Sequence, residues 1–311
     1  MTWARGLPGR MGPWVQAARP IAHPMIFLPL LIGQLFAFDR HQQFSLTFFL
    51  YALLFGLLYQ AYLLYLNDYA DEAVDRTNDH YFLSGGSRVL PDGKLQAKHL
   101  LAGARVVLVI LAALGAWLAI GAERPWFLIG LGLAVVLCWA YNAKPLQLSY
   151  RGHGEVLQGL GCGVLLPLIG FYLQQGSLQA FPWLALAPLY LLFHAGNIVT
   201  ALPDYASDKV GGKHTVPVRI GEQRARKAAL LLLLMAYGLV VAVNLALPPV
   251  ALAIIVVPSL LILVGIVLSG LIIRADSANF GACKRFVSWV SLSQAWVLLA
   301  WVGVLLLGGA L

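Results

Sequence analysis

Eight of the acidic side chains in this 311-residue chain fall into two groups with helical spacing. Asp68, Asp71, Glu72, Asp75, Asp79 and Asp92 follow one apolar stretch, and Asp204 and Asp208 close another. On a continuous helix Asp68, Asp71 and Asp75 share one stripe, while Asn67, Asp71 and Asp75 form an overlapping one. Asp204 and Asp208 are one turn apart. Like charges stacked in this way destabilise a helix unless something cationic neutralises them. Oxygen ligands with no cysteine or histidine among them suit Mg2+, which keeps waters and shares its remaining positions with phosphate oxygens. Basic residues follow each group: Arg76, Arg88 and Lys94 after the first, Lys209 and Lys213 after the second. The pattern is that of a clamp for a diphosphate, in which aspartates hold Mg2+ and cations meet the oxygens left over. The competing reading is two solvated helix ends, their acids paired with Arg76, Lys209 and Lys213. One such cluster would fit either reading; two, each followed by cations, favour the clamp.

The elements that must carry these residues are written in the composition. Hydrophobic residues make up 60% of the chain and charged ones only 11%, where soluble domains carry roughly 25%. So few charges cannot coat a soluble fold of this length, and a disordered chain or a disulfide scaffold is excluded on the same ground. Cys138, Cys162 and Cys283 sit in or beside apolar runs and read as buried small hydrophobes. The net charge of +8 points to anionic lipid rather than nucleic acid. A membrane-spanning helix needs ~20 apolar residues, and nine stretches qualify: about 22–38, 44–66, 99–120, 126–141, 154–175, 183–202, 228–247, 250–273 and 286–309. Turn signals such as Glu123-Arg124-Pro125, Gln174-Gln175-Gly176 and Leu247-Pro248-Pro249 separate several of them. With the N-terminus in the cytoplasm, 19 of the 21 Lys and Arg fall on the cytoplasmic side, leaving Arg40 and Arg124 outside. That asymmetry is the positive-inside pattern. It places both aspartate groups in the cytoplasm and the C-terminus outside.

Asn67-Asp68-Tyr69-Ala70-Asp71-Glu72-Ala73-Val74-Asp75 resembles the N-D-x-x-D-x-x-x-D signature of the UbiA superfamily of intramembrane prenyltransferases. Asp204-Tyr205-Ala206-Ser207-Asp208, with Gly212, Lys213 and Thr215 after it, resembles that family's second motif, D-x-x-x-D-x-x-x-G-x-x-T. The resemblance covers nearly the whole chain. It implies a single domain over residues 1–311, an all-α membrane protein of about nine helices in a ring-like bundle, and a cavity facing the cytoplasm. The implied activity is Mg2+-dependent transfer of a polyprenyl group from an allylic diphosphate to an aromatic acceptor. Ser84-Gly85-Gly86-Ser87-Arg88-Val89-Leu90 and Tyr150-Arg151-Gly152-His153-Gly154-Glu155 resemble the menaquinone-pathway branch, whose acceptor is 1,4-dihydroxy-2-naphthoate. Leu202 and Pro203 stand where many such enzymes have asparagine and arginine.

An allylic diphosphate is a latent carbocation, so the protein need supply no covalent nucleophile. Asn67, Asp71, Asp75, Asp204 and Asp208 are the expected metal ligands, with Asp68 at or just behind the ion. Arg76, Arg88, Lys94, Lys209 and Lys213 are the candidate diphosphate ligands. Tyr141, Lys144 and Arg151 border a third cytoplasmic loop and are candidates for facing substrate, although family members commonly have Y-x-x-x-K where this chain has Y-x-x-K. Glu155 could orient or deprotonate an acceptor hydroxyl, or simply favour a helix N-terminus. His194 and Asn197 lie on roughly the face that leads to Asp204; they either line the acceptor pocket or bond between helices. Arg19 reads as a topology anchor ahead of the first span. Apart from the prenyl diphosphate, the acceptor and the bilayer, no partner is expected. The same clamp would serve an intramembrane terpene cyclase or a prenyltransferase for a 4-hydroxybenzoate or homogentisate type of acceptor. A transporter would place its acids near the membrane midplane instead.

Overall fold

The computed structural model describes residues 11–78, 85–244, 249–274 and 276–308, and among them every regular element is helical. In chain order these are α1 (Gly12–Ala17), α2 (Pro24–His41), α3 (Leu46–Ala70), α4 (Glu72–Arg76), α5 (Ala97–Ile120), α6 (Phe127–Asn142), α7 (Gly154–Leu160) and α8 (Leu166–Gln175). They continue with α9 (Leu186–Thr200), α10 (Tyr205–Val210), α11 (Val216–Ile220), α12 (Glu222–Val243), α13 (Pro249–Val267) and α14 (Phe280–Gly308). A π-helical turn, Gly161–Leu165, joins α7 to α8, so that Gly154–Gln175 is one span. Asp79, Ser84, Arg5, Arg10 and the Leu247-Pro248 part of one expected turn lie outside the described residues.

Within the described residues each of the nine expected apolar stretches overlaps a helix. Six helices among the described residues are long and apolar enough to cross a membrane: Leu46–Ala70, Ala97–Ile120, Gly154–Gln175, Trp183–Thr200, Glu222–Val243 and Phe280–Leu306. A seventh crossing arises if Gly12–Ala22 and Pro24–His41, bent by 53° at their junction, are taken as one. Phe127–Asn142 and Val256–Leu271 are apolar but shorter. The helices expected at 228 and 286 begin earlier, at Glu222 and Phe280. Arg224 and Lys227 are exposed in the first turns of α12, as are Lys284 and Arg285 in α14. Basic side chains reach past the apolar boundary toward headgroups, so hydropathy understates the helix there.

Backbone satisfaction requires helices in lipid, and close contacts between small residues bring them together. The tightest junction is between α2 and α8. A Cβ on Gly33 would stand 2.0 Å from the Pro167 carbonyl oxygen, and one on Gly170 would stand 2.1 Å from that of Leu30. The last helix, α14, packs against both α2 and α9 and closes the bundle. Phe36 meets Trp301 edge-on there, ring centroids 5.5 Å apart.

Candidate active site

Both aspartate motifs sit on the same local structure. Helix α3 stops at Asp71 (φ −95°, ψ 5°), and the short α4 then carries Asp75. After α9, Asp204 (φ −91°, ψ 3°) opens the short α10 that carries Asp208. In each case the second aspartate's N–H donates to the first one's carbonyl, at 2.9 Å for Asp75 to Asp71 and 2.8 Å for Asp208 to Asp204. The stripes expected from unbroken helices are therefore bent at Asp71 and at Asp204. Helices α4 and α10 pack against each other, and a Cβ on Gly211 would stand 2.5 Å from a Val74 methyl.

Two side chains reach across between the motifs. The Lys213 ammonium donates to Asp71 Oδ2 at 2.8 Å, with the two side chains 13% and 7% exposed. Asn78 Nδ2 donates to Asp204 Oδ1 at 2.7 Å. Asn67 Nδ2 donates to Asp71 Oδ2 (3.0 Å) and to Asn142 Oδ1 (3.1 Å), tying α3 to α6. The Thr215 hydroxyl donates to Asp208 Oδ2 at 3.2 Å. Tyr150 adds a hydroxyl within electrostatic reach of Asp71 and Asp208 and a ring face 5.5 Å from the Lys213 ammonium.

Electrostatics follow from crowding and burial. Burial, with repulsion from Asp71 and Asp68, pushes Asp75 up to about 8. Burial likewise raises Asp208 to about 7, with Asp204 and Asp71 adding to it and Lys213 and Thr215 opposing. Burial works against the Lys213 ammonium, but Asp71, Tyr141 and Asp208 outweigh it and hold its pKa well above the ordinary value. Asp71 Oδ1 is buried with no hydrogen-bond partner. A cluster of raised carboxylates with an unpartnered buried oxygen fits a hard divalent cation. Among the described residues no three His, Cys, Asp or Glu side chains could hold a metal by themselves, so an ion here needs further oxygens from water and ligand.

The other expected residues divide sharply. Asp68 does not face Lys213. It pairs with Arg19 and takes the Ser87 hydroxyl, with the Ser87 N–H 3.3 Å from its Oδ1. Arg19, expected as a topology anchor, is thus half-buried in an ion pair with an aspartate 49 residues on in sequence. Arg88 Nη1 donates to the carbonyls of Asp75 and Asn78 at 3.3 and 3.0 Å, at the edge of the site. Arg76 bonds Glu72 at 2.8 Å, and Lys94 bonds Asp92 and Gln16; both therefore pair with neighbours outside the aspartate cluster. Lys209 is exposed beside the Tyr205 ring. Tyr141 lies within electrostatic reach of Lys213, Asp71, Glu155 and Asp208. Lys144 is exposed, and Arg151 donates to the Pro145 carbonyl at 2.7 Å. Glu155 is 2% exposed; its Oε1 accepts from the Val216 N–H at 2.6 Å, while its Oε2 is buried without a partner. His194 Nδ1 lies 2.9 Å from the Tyr190 hydroxyl, and half-buried Asn197 accepts from the Thr200 hydroxyl. Asn78, Asn142 and Tyr150 were not expected as site residues. Only Tyr150 belonged to a recognisable segment; an isolated asparagine carries no spacing signal.

The chain is similar to known proteins in both sequence and fold. The profile described as "UbiA prenyltransferase family" matches residues 26–292. The 1,4-dihydroxy-2-naphthoate octaprenyltransferase of Bacillus subtilis (strain 168) is 26% identical over 218 residues, which is 68% of this chain and 66% of that protein. The matched stretch thus spans just under two thirds of that relative. A UbiA homolog from Archaeoglobus fulgidus, solved bound to DMAPP and Mg2+, superposes with a TM-score of 0.66 at 22% identity, covering 94% of this chain and 99% of that one. The apo structure of a UbiA homolog from Aeropyrum pernix K1 gives 0.68 at 20% identity, covering 94% and 99%. With the matched profile spanning most of its length, the chain belongs to the UbiA prenyltransferase family.

Proposed function

We propose that this protein transfers a polyprenyl group from an allylic diphosphate to an aromatic acceptor, 1,4-dihydroxy-2-naphthoate, in a Mg2+-dependent reaction of menaquinone biosynthesis. The observation that carries the reading is the pair of matching aspartate breaks, facing each other and bridged by Lys213 and Asn78. Asn67, Asp71, Asp75, Asp204 and Asp208 are the residues to hold Mg2+, which when bound neutralises charge on a diphosphate. The Lys213 ammonium, kept protonated by its acidic neighbours, stabilises negative charge on the diphosphate as the allylic C–O bond breaks. Both bonding electrons leave with that oxygen. A ring carbon of the acceptor then forms the new C–C bond to the allylic carbon and releases the group it carried, as CO2 from the carboxylate-bearing carbon or as a proton taken up by the released diphosphate, so that the ring regains its aromaticity. Glu155 Oε2, buried and unpartnered, is the group to accept a hydrogen bond from an acceptor hydroxyl and raise electron density on the ring. Support for the acceptor comes from the name of the Bacillus subtilis relative, and support for a prenyl diphosphate with Mg2+ from the Archaeoglobus fulgidus complex.

The same proposal includes nine membrane crossings, a cytoplasmic N-terminus and site, and an outer C-terminus, as the 19-to-2 charge distribution implies. A dry site within the bundle keeps water from quenching the cation. The test uses purified protein in liposomes with one labelled polyprenyl diphosphate and, separately, 1,4-dihydroxy-2-naphthoate, 4-hydroxybenzoate and homogentisate. Prenylated naphthoate is expected, slowed by Glu155→Gln without loss of diphosphate binding. Prenylation of another ring alone would reassign the acceptor, and hydrocarbon formed with no acceptor would make the protein a cyclase.

A further inference from the structure

Asp68 stands inside the first aspartate motif, yet protein donors already occupy both of its oxygens. The Arg19 guanidinium and the Ser87 N–H meet Oδ1, and the Ser87 hydroxyl meets Oδ2. Asp68 is 2% exposed as a residue, and the Arg19 side chain 13% exposed. A buried ion pair of this kind stands or falls as a unit, because removing one partner leaves the other charge uncompensated.

The partner is held in place with unusual care. Arg19 adopts a left-handed backbone (φ 42°, ψ 66°), a conformation that costs a residue with a Cβ and persists only where its surroundings enforce it. Gln60, on α3, supplies the enforcement. Its Nε2 donates to the carbonyls of Ala18 and Arg19 at 2.8 and 2.9 Å, and its Oε1 lies 2.8 Å from His23 Nδ1. The N-terminal segment also reaches Ser87 directly, since Gln16 Nε2 donates to the Ser87 carbonyl at 2.8 Å. Ser87 is therefore gripped through its N–H, hydroxyl and carbonyl.

The two residues before Ser87 touch both motifs. Gly86 (φ 74°) runs so close to Asp75 that a Cβ would lie 1.9 Å from Oδ2. Gly85 (φ 78°) would place a Cβ 2.6 Å from Asn78 Nδ2 and 3.3 Å from Asp204 Oδ1. Any slackening at Ser87 thus moves backbone that rests on the carboxylates one and two residues away.

We propose that Asp68 is a positioning residue and not a metal ligand: with Arg19 it forms a strut that fixes the Gly85–Ser87 segment against Asp75 and Asp204. The proposal rests on reading those aspartates as the diphosphate-binding site. It separates the aspartates of the first motif into two that face the ligand, Asp71 and Asp75, and one that shapes the wall beside them.

The test compares Arg19→Gln, Asp68→Asn and Ser87→Ala, with Arg19→Lys as the conservative variant, in the full-length purified protein. Hydrogen exchange at the amides of residues 85–90 is read without Mg2+ or substrate. The strut predicts that Ser87→Ala speeds exchange by about tenfold, the cost of one buried hydrogen bond, and that Arg19→Gln and Asp68→Asn, each leaving an uncompensated charge, speed it by more than that. The Arg19→Gln/Asp68→Asn double variant should add little to either single one, and Arg19→Lys should recover part of the protection. In turnover assays KM for farnesyl diphosphate rises, while the Mg2+ concentration giving half-maximal rate stays within about twofold. Asp68→Asn that raises the Mg2+ requirement while leaving exchange at the wild-type rate would make Asp68 a ligand and overturn the proposal. Unaltered exchange in Ser87→Ala, the mildest change, would overturn it as well. Failure of the reaction assignment would appear separately, as wild-type protein inert toward farnesyl diphosphate whatever the exchange result.

Discussion

Gly86 and Gly93 together separate a steric effect at the site from ordinary backbone strain. Both glycines have positive φ, 74° and 68°, so alanine at either position costs the left-handed penalty of roughly 1–2 kcal/mol. They differ in what the new methyl group meets. At Gly93 nothing lies within 4 Å, whereas at Gly86 the methyl would stand 1.9 Å from Asp75 Oδ2 and 2.5 Å from its Cγ. Contacts under 3.0 Å are not tolerated, so the segment or the carboxylate must retreat by about 1 Å. A displacement of that size at a reacting centre costs on the order of 100-fold in rate. Gly86→Ala should therefore lower kcat/KM for the prenyl diphosphate about 100-fold, and Gly93→Ala should leave it within about threefold. The assay is initial-rate prenylation in liposomes, with thermal unfolding of both variants as the control for strain. Equal kcat/KM for the two variants would refute the placement of Gly86 against a functional Asp75.

Three further outcomes follow from the same geometry. Asp75 and Asp208 have folded-state pKa values of about 8 and about 7, above the ordinary 3.8, so the folded protein holds protons that the unfolded chain has released. Their stabilising contribution is full below pH ~4 and is lost as pH rises through ~8; the thermal midpoint in EDTA should fall across that window, and a midpoint that rises would contradict the burial of these carboxylates. Lys213→Met leaves Asp71 buried and unpaired, which should cost about 3–5 kcal/mol in chemical denaturation without Mg2+; adding Asp71→Asn should restore most of it, and no rescue would show that the pair is not coupled. Cysteines introduced at exposed Gln223 and Gln179 should react differently with an impermeant thiol reagent in intact cells, only the latter being labelled, and the reverse pattern would invert the proposed topology.

The aspartate clusters were legible because spacing and residue type carry them, and both lie on short stretches of chain. The nine apolar stretches were legible for the same reason. What spacing alone could not give was the bend at Asp71, a helix break with φ near −90° that no glycine or proline marks; at Asp204 the preceding Pro203 is the signal that the helix has ended. The bend at Asp71 goes with Asp68 facing Arg19 and Ser87 while Asp71 faces Lys213. Nor could spacing assign the cations. Arg76 and Lys94 have nearby acids, Glu72 and Asp92, and take them, whereas Lys213 reaches an aspartate 142 residues away. Long side chains point where the nearest satisfied partner is, and that depends on the tertiary fold. Asn78 and Asn142 became visible only once the loops had been brought together.

The central claim is that Asn67, the two aspartate pairs and Lys213 form one Mg2+–diphosphate site. Calorimetric titration of farnesyl diphosphate into the purified protein, with Mg2+ and then with excess EDTA, tests it most directly. Binding is expected with Mg2+, weaker by at least about tenfold in EDTA, with the Mg2+-dependent part lost in both Asp71→Asn and Asp208→Asn. Binding of equal strength in EDTA, or Mg2+-dependent binding that survives both substitutions, would contradict it.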